Sequence, residues 1–296
     1  MKPFFSVDRN VVILAINFLY RLPIRRHKKR TSGMIITAHV ARLMCLCLCL
    51  CLRLDATSIV AVWTPIQITI AADSKQTLTQ NRQIVGSQPS CKMYPVHDLI
   101  VAFAGLVKSE EIDVIESIKN THEFTQMGTG KKLPEVGPWI GAQDALQKIL
   151  RARQANGLSD PSDLTASMII AGRDGSKLFM YRVESGIGDP RVVADFGHTG
   201  AGFWNRRIAY PPEGKPSPKR GFETLGLDSA ISRFRLALPT EWDAGTDVQV
   251  ARRLVAIEAS DTIESQFVGG PISTIVITKK RIQWKDKGLC EWEPAN

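Results

Sequence analysis

Three residues of this chain have the types needed for hydrolysis by a hydroxyl nucleophile: Thr57, Asp73 and Lys92. A threonine hydroxyl attacks a carbonyl only when a base takes its proton, and a nearby lysine charge favours loss of that proton. The α-amine of a first-residue threonine can be this base, since α-amino groups titrate close to working pH. Asp73 would hold Lys92 charged and orient it. The scheme requires cleavage of the bond before Thr57, because the amine is otherwise an amide.

Two short apolar runs are expected to position the threonine and the aspartate. Residues 57–62 and 68–74 are rich in Ile, Val and Thr, and a turn signal at Thr64-Pro65 separates them. This pattern predicts a β-hairpin. Because a hairpin brings its two ends together, Thr57 and Asp73 are predicted to be neighbours.

The lysine belongs to a second block, residues 91–98, which precedes another apolar strand at residues 99–105. If this block reaches the same end of the sheet, Lys92 joins the hairpin ends. A threonine, an aspartate and a lysine at one sheet end form the constellation of a threonine nucleophile.

These blocks resemble the proteasome β-subunit family of N-terminal-nucleophile hydrolases. Its members begin their mature chain with Thr, carry an Ala-Ala-Asp-Ser-like segment, and then a Lys-apolar-aromatic-Pro-apolar-x-Asp stretch. Residues 71–74 and 92–98 match these segments, and Asp73 lies 16 positions after Thr57, as in the family. A longer loop at residues 77–90 accounts for the later position of the lysine. The resemblance covers residues 57–125 well and the rest more loosely.

The resemblance implies an α+β fold, the αββα four-layer sandwich of this family, in a secreted bacterial-type or divergent member. It also implies a threonine-type endopeptidase or amidohydrolase with Thr57 as nucleophile, which acts on a peptide or protein substrate without a cofactor. The implied assembly is a homo-oligomer, for instance a ring. No pair among the histidines of residues 57–296 has the spacing of metal ligands, so a metal site is not expected.

The second half departs from the family pattern. Where active members carry Ser in a Gly-Ser-Gly turn, this chain has Gly200-Ala201-Gly202, and Asp261 and Ser265 precede Gly269-Gly270 at a displaced spacing. Asp261 or Ser265 would have to substitute for the family's residues. Two alternatives therefore stay open: a non-catalytic subunit used for assembly or binding, and, as a lesser one, an amidase acting on small amides.

The positive charge of the chain is concentrated ahead of Thr57. The net charge is +9, and residues 1–56 contain ten Lys or Arg but only two Asp, so that eight of these charges fall there and one remains for residues 57–296. A nearly neutral body predicts no nucleic-acid partner. We therefore divide the chain into residues 1–56, a signal peptide or propeptide, and residues 57–296, one hydrolase domain.

The first 56 residues have the order of a targeting segment. A basic block at residues 25–30 precedes an apolar run at residues 43–52 and then Ala56, which is typical of a signal peptide and predicts export to the periplasm or the extracellular space. The run is too short to span a bilayer well. The alternatives are a cytoplasmic protein with a propeptide, or a membrane anchor at residues 11–20. Met34 could be the true start in place of the first residue.

The cysteines fall into two groups. Four alternate with Leu within residues 43–52, and only Cys91 and Cys290 lie in the body. In an exported protein these two could pair, but they could equally be isolated core thiols.

The remaining body predicts a mixed fold. Apolar residues at helical spacing predict helices, and short apolar runs beside turn signals predict hairpins. The helices are expected at residues 109–119, 139–156 and 246–260, and the hairpins at 166–172 with 177–183 and at 272–278 with 281–284. This order fits two sheets between helix layers.

Overall fold

The computed structural model divides the chain into two units, Met1–Arg53 and Leu54–Asn296, and everything described below belongs to the second. The described residues are 57–80, 83–104, 113–120, 138–155, 165–174, 177–187, 197–199, 203–210, 219–226, 228–238 and 242–294. The turn Gly200-Ala201-Gly202 and the bond between residues 56 and 57 lie outside them. Among these residues, no helix combines the length and the hydropathy needed to cross a bilayer.

The described residues form strands and helices in mixed order. The strands are β1 Ser58–Trp63, β2 Gln67–Ala72, β3 Lys75–Gln80, β4 Gln83–Pro89, β5 Met93–Val96, β6 Leu99–Ala104, β7 Thr165–Asp174, β8 Lys177–Ile187, β9 Gly197–Thr199, β10 Phe203–Tyr210, β11 Gly221–Gly226, β12 Ser273–Thr278 and β13 Ile282–Asp286. The helices are α1 Val114–Lys119, α2 Pro138–Ala155, α3 Ser229–Ala237 and α4 Asp247–Ser260.

The strands form two large sheets and one separate hairpin. The five-stranded sheet has the order β11-β1-β2-β12-β13, and the six-stranded sheet has the order β5-β6-β7-β8-β10-β9. The pairings within both are antiparallel. The protein is therefore an α+β protein with antiparallel sheets, as the order of elements predicts.

Strand β1 is apolar on both faces because each face packs against a different cluster. Ile59 and Ala61 belong to a core cluster that joins residues of the two sheets, such as Ile70 and Ile169. Val60 alternates with them and packs on the other side of the sheet. A strand buried on both faces is a nearly continuous apolar run. This burial explains the composition of residues 57–62.

Two further clusters bury the outer faces of the sheets under helices. Phe103 of the six-stranded sheet packs with Leu146 and Leu150 of α2. Val60 of the five-stranded sheet packs with Leu254 and Val255 of α4. Each helix presents one apolar stripe to its sheet. The helical spacing of these apolar residues is the pattern from which residues 139–156 and 246–260 were predicted to be helices.

The ends of the helices follow from local hydrogen bonds. Thr246 caps α4: its hydroxyl accepts from the N–H of Gln249, and the Gln249 side chain accepts from the N–H of Thr246. Helix α1 begins at Val114, where the Asp113 side chain accepts from the N–H of Glu116 and so fixes the first turn. Residues 109–112 of the predicted helix lie outside the described residues.

One predicted loop is instead a hairpin. Residues 77–90 were expected to be irregular, whereas β3 and β4 pair antiparallel across them, with Gln76 opposite Gln88. This segment is dominated by Gln, Thr and Ser and lacks a clear alternation of apolar and polar residues, so its sequence gives little strand signal.

The structure decides the question of the two body cysteines. Cys91 and Cys290 form a disulfide, with their Cα atoms 4.9 Å apart and a sequence separation of 199. The pairing was one of the two alternatives that the sequence left open.

We expect loss of this disulfide to destabilise the fold. A cross-link between distant residues restricts the unfolded chain, and removal of a native one costs about 2–5 kcal/mol. The double variant Cys91→Ser with Cys290→Ser should unfold at lower urea concentration than the wild type, by circular dichroism.

A dithiol reductant is the control for that comparison. It should bring the wild-type midpoint to that of the double variant and leave the double variant unchanged. Equal midpoints for the oxidised wild type and the double variant would contradict the expectation.

Candidate active site

The hairpin of β1 and β2 brings Thr57 next to Asp73, as predicted. Ile59 pairs with Ala72, so that Ser58 faces Asp73 at the open end of the hairpin. Two hydrogen bonds hold the ends together: the N–H of Asp73 donates to the Ser58 carbonyl (3.1 Å), and the N–H of Ser58 donates to Asp73 Oδ1 (2.8 Å). The position of the carboxylate relative to Thr57 is therefore fixed by the backbone.

Lys92 joins these two residues from the other sheet. Its Nζ donates to Thr57 Oγ1 at 2.8 Å, to Asp73 Oδ1 at 3.0 Å and to the carbonyl of Lys75 at 2.6 Å. An ammonium has three hydrogens, so Nζ can donate to these three acceptors at the same time. The side chain of Lys92 is only 1 % exposed, so its placement is set by the protein and not by solvent.

Asp73 accepts from four donors. Besides Lys92 and Ser58 on Oδ1, its Oδ2 accepts from the N–H of Lys75 (3.1 Å) and from the N–H of Gly269 (3.2 Å). A buried carboxylate needs such donors to replace its lost hydration. The carboxylate is thereby held in one orientation towards Lys92.

Burial changes the proton affinity of both charged groups. It lowers the pKa of the Lys92 amine below the ordinary lysine value, against the opposing charge of Asp73. It raises the pKa of the Asp73 carboxyl, against the opposing effects of Lys92 and of the N–H groups of Ser58 and Gly269. Charged groups whose pKa values are shifted by burial beside an opposite charge are typical of functional sites.

Two glycines allow the backbone to come this close. Gly226 has a φ of +80°, and a Cβ there would lie 1.9 Å from the Thr57 carbonyl oxygen. Gly270 has a φ of +75°, and a Cβ there would lie 2.6 Å from Ser74 Oγ. Only glycine adopts such a conformation at no steric cost. The two residues therefore shape the site without supplying a functional side chain.

Sequence reasoning missed the backbone groups of Lys75 and Gly269. The signal for Gly269 was its glycine pair, which was noted as part of a family pattern but not as a donor to Asp73. Backbone donors and acceptors are present at nearly every position, so residue type does not reveal which of them a buried charge will use.

The structure places Asp261 and Ser265 in different surroundings from each other. The Asp261 carboxylate pairs with Arg233 of α3 and accepts from the N–H groups of Ile263 and Glu264. Partial burial raises its pKa, but those N–H groups and Arg233 lower the pKa further, so that it falls below its ordinary value. The carbonyl of Ser265 accepts from Lys75 Nζ (3.0 Å), which places its backbone at the end of the Lys75 side chain. Catalytic roles for Asp261 and Ser265 stay predictions.

No metal-ligand cluster accompanies this arrangement in the described part of the chain, where no group of three or more His, Cys, Asp or Glu residues lies close enough to hold an ion.

The arrangement favours nucleophilic chemistry at Thr57. Its Oγ1 accepts a hydrogen bond from Lys92, so the hydroxyl proton takes no part in that bond and can be transferred to a base. A positive charge 2.8 Å from the oxygen stabilises the alkoxide that forms when the proton leaves. With a base at its proton, Thr57 could attack a carbonyl carbon.

Comparison with solved structures finds similar folds. The chain is similar to eukaryotic HslV from Trypanosoma brucei, with a TM-score of 0.44 and 15 % sequence identity over 75 % of this chain and 99 % of that chain. No family model matches the chain, and neither does any curated protein.

We expect the buried pair to be required for stability. Lys92→Met removes the ammonium but keeps much of the side-chain volume, and leaves the Asp73 carboxylate buried without its counter-charge. Such a change costs about 3–5 kcal/mol. Urea unfolding at about pH 7 measures this loss.

The pH dependence separates a charge effect from a packing effect. In the Lys92→Met variant, the buried Asp73 carboxyl has a raised pKa, so the folded state binds its proton more tightly than the unfolded chain does. The deficit of the Lys92→Met variant should therefore shrink as pH falls from about 7 towards about 5. Adding Asp73→Asn should recover part of the loss, since no unpaired charge then remains. A deficit that is constant with pH would show that packing and not charge is responsible.

Proposed function

We propose that the chain is a threonine-type hydrolase that cleaves amide bonds in peptides or proteins, with Thr57 as N-terminal nucleophile once residues 1–56 are removed. The observation that supports it most is the buried triangle of Thr57, Lys92 and Asp73, in which Lys92 Nζ lies 2.8 Å from the Thr57 hydroxyl oxygen. Removing a lysine charge from water is costly, so a purely structural role is a weak explanation for a buried lysine that bonds to both a hydroxyl and a carboxylate.

The proposed reaction has two halves. The Thr57 hydroxyl attacks the substrate carbonyl while its proton passes to the freed α-amine, directly or through water. The C–N bond then breaks, the amine of the substrate leaves with a proton, and an ester to Thr57 Oγ1 remains. Water activated by the same α-amine attacks this ester, releases the acid and restores the hydroxyl.

Each charged group has a part in these steps. Lys92 stabilises negative charge on Thr57 Oγ1 as the proton leaves. Asp73 holds the ammonium in place and keeps it charged.

We propose the αββα four-layer sandwich as the fold of this domain. The three apolar clusters support it: one joins the two sheets, one lies under α2 and one lies under α4.

We also propose that the mature protein works outside the cytoplasm. The Cys91–Cys290 disulfide supports this location, since disulfides persist in oxidising compartments. The basic block and apolar run ahead of Thr57 agree with it. The alternative is a cytoplasmic protein with a propeptide.

A second candidate is a non-catalytic subunit with the same fold. One observation favours it: the Asp261 carboxylate, proposed to assist catalysis, is engaged by Arg233 and two backbone N–H groups. The third candidate, an amidase acting on small amides, shares the mechanism and differs only in substrate size.

The first test is the identity of the nucleophile. We expect the native protein to start at Thr57, and Thr57→Ala to abolish peptide hydrolysis because no hydroxyl remains. Thr57→Ser should keep measurable activity, since it retains the hydroxyl and the α-amine. N-terminal sequencing, intact mass and turnover of a fluorogenic peptide library provide the measurements.

The outcomes separate the candidates. A product that starts anywhere other than residue 57 would exclude the N-terminal mechanism, and an intact presequence on a folded, inactive protein would favour the non-catalytic subunit. Hydrolysis of small amides without peptides would select the amidase. Lys92→Ala should also abolish turnover, measured under conditions in which circular dichroism shows that this less stable variant is still folded.

We further propose that the protein assembles as a homo-oligomer, such as a closed ring, through contacts that include α2. Ile140 of α2 is 39 % exposed, and the body carries only about one net charge to oppose association.

Ile140→Glu should therefore shift the processed protein to a smaller species in size-exclusion chromatography with light scattering. Ile66→Glu is the matched control, because Ile66 is 70 % exposed but lies in the turn between β1 and β2, outside α2. A monomeric wild type at micromolar concentration would contradict the assembly and leave the chemistry of Thr57 untouched.

A further inference from the structure

The chain folds back on itself after its last strand. Beyond β13, the carbonyl of Lys287 accepts from the hydroxyl of Ser273 (3.1 Å) and from the N–H of Cys290 (3.0 Å). This tight turn buries Cys290, which is 2 % exposed. Residues 287–292, called the C-terminal strap below, then reach the edge of the other sheet.

The strap is fastened on both sides of Lys92. Cys290 forms the disulfide with Cys91, the residue before the lysine. The indole N–H of Trp292 donates to the carbonyl of Met93, the residue after it, at 2.7 Å. The one residue between the two attachments is the one that contacts the hydroxyl of Thr57.

This part of the protein needs support because β5 is an outermost strand. It has four residues and, among the described strands, pairs only with β6; just before it, the carbonyl of Lys92 accepts from the N–H of Phe103 (3.1 Å). The other row of backbone groups in such a strand has no sheet partner, and short edge strands are held weakly. The bond from Trp292 satisfies one of those groups.

The strap is itself anchored in the five-stranded sheet. The Trp284 side chain of β13 donates from its indole N–H to the carbonyl of Trp292 (2.9 Å), and the two rings lie 4.6 Å apart. Both rings pack against the cluster that joins the two sheets. The strap therefore connects the outermost strand of one sheet to the outermost strand of the other.

We propose that Cys290 and Trp292 are positioning residues for Lys92, and that reduction of the Cys91–Cys290 disulfide slows hydrolysis by releasing the lysine from Thr57. The proposal of a slower reaction rests on the proposed function. Its geometric basis is that the three bonds of Lys92 Nζ are all between 2.6 and 3.0 Å, so a small shift of the strand removes the contact with the hydroxyl. A displacement of about 1 Å in a catalytic group can cost about 100-fold in rate.

The redox step needs a thiol reductant. A dithiol attacks one sulfur of the disulfide to form a mixed disulfide, and its second thiol closes on the first. Two electrons and two protons pass to Cys91 and Cys290, and the reductant leaves as a cyclic disulfide. Cys91 is partly exposed, which gives the reductant access.

The first experiment measures the position of Lys92 directly and does not require activity. Acetic anhydride acylates uncharged amines that it can reach, and mass spectrometry gives the rate for each lysine. We expect reduction by dithiothreitol to raise the acylation rate of Lys92 at least tenfold relative to that of Lys279, an exposed lysine that serves as the internal reference. Unchanged relative acylation of Lys92 in a folded, reduced protein would overturn the proposal, whether or not the protein hydrolyses peptides.

The second experiment follows peptide hydrolysis by the processed protein. Reduction should lower kcat at least tenfold and leave KM within twofold, because substrate contacts remain while the assistance to Thr57 is lost. The double variant Cys91→Ala with Cys290→Ala should match the reduced wild type and be insensitive to dithiothreitol. Reoxidation with oxidised glutathione should restore the wild type only.

One single variant, with a matched control, tests the other attachment, the hydrogen bond from Trp292 to Met93. Trp292→Phe keeps an aromatic ring beside Trp284 but removes the donor to Met93, and should lower kcat with the disulfide intact. Lys287→Ala is the matched control in the same strap, since it removes only the exposed ion pair with Glu293 and should leave kcat unchanged.

The outcomes separate this proposal from the proposed function. An inactive oxidised wild type argues against the hydrolase function. In that case the acylation result alone decides whether the strap positions Lys92. An active enzyme whose kcat is the same in both redox states would overturn the positioning role of the strap and leave the hydrolase function standing. A loss of activity that matches only the fraction of unfolded protein, seen by circular dichroism at the assay temperature, would also overturn it.

Discussion

The buried ion pair of Lys92 and Asp73 is the constraint on which the arrangement of this site depends. Two charges removed from water are costly unless other groups replace the hydration they lose. Here the replacements come from separate parts of the chain: the N–H of Ser58, the N–H and carbonyl of Lys75, and the N–H of Gly269. The pair is stable only when these segments meet, so the same bonds that satisfy the charges also hold the Thr57 hydroxyl in position.

The sheets supply the rigidity that this pair requires. Thr57 precedes β1 and Asp73 follows β2, two paired strands in the middle of the five-stranded sheet, and both are buried on both faces. Groups placed at the ends of such strands are held more accurately than groups on free loops. Gly226 completes the support, since its missing side chain allows β11 to lie directly against the carbonyl of Thr57.

Lys92 has a less protected position, because it precedes an outermost strand. The cross-link from Cys91 to Cys290 and the bond from Trp292 to Met93 connect this edge to the end of the chain. The geometry of the site thus depends on residues from 57 to 292, although its three side chains fall within residues 57–92. A lysine held from both neighbouring residues also links the redox state of the protein to its proposed chemistry.

The sequence by itself determined the local elements and the meeting of Thr57 with Asp73. Short-range patterns carry that information: β-branched runs around a proline turn specify the first hairpin, and a Thr–Gln capping box specifies the start of α4. It did not specify the hairpin of β3 and β4, since polar residues without alternation give no strand period. Only the tertiary structure decided that Cys91 pairs with Cys290, that Gly269 donates to Asp73 and that Arg233 engages Asp261. Those partners are distant in sequence, and a residue's type states what it can bind but not which distant group the fold brings to it.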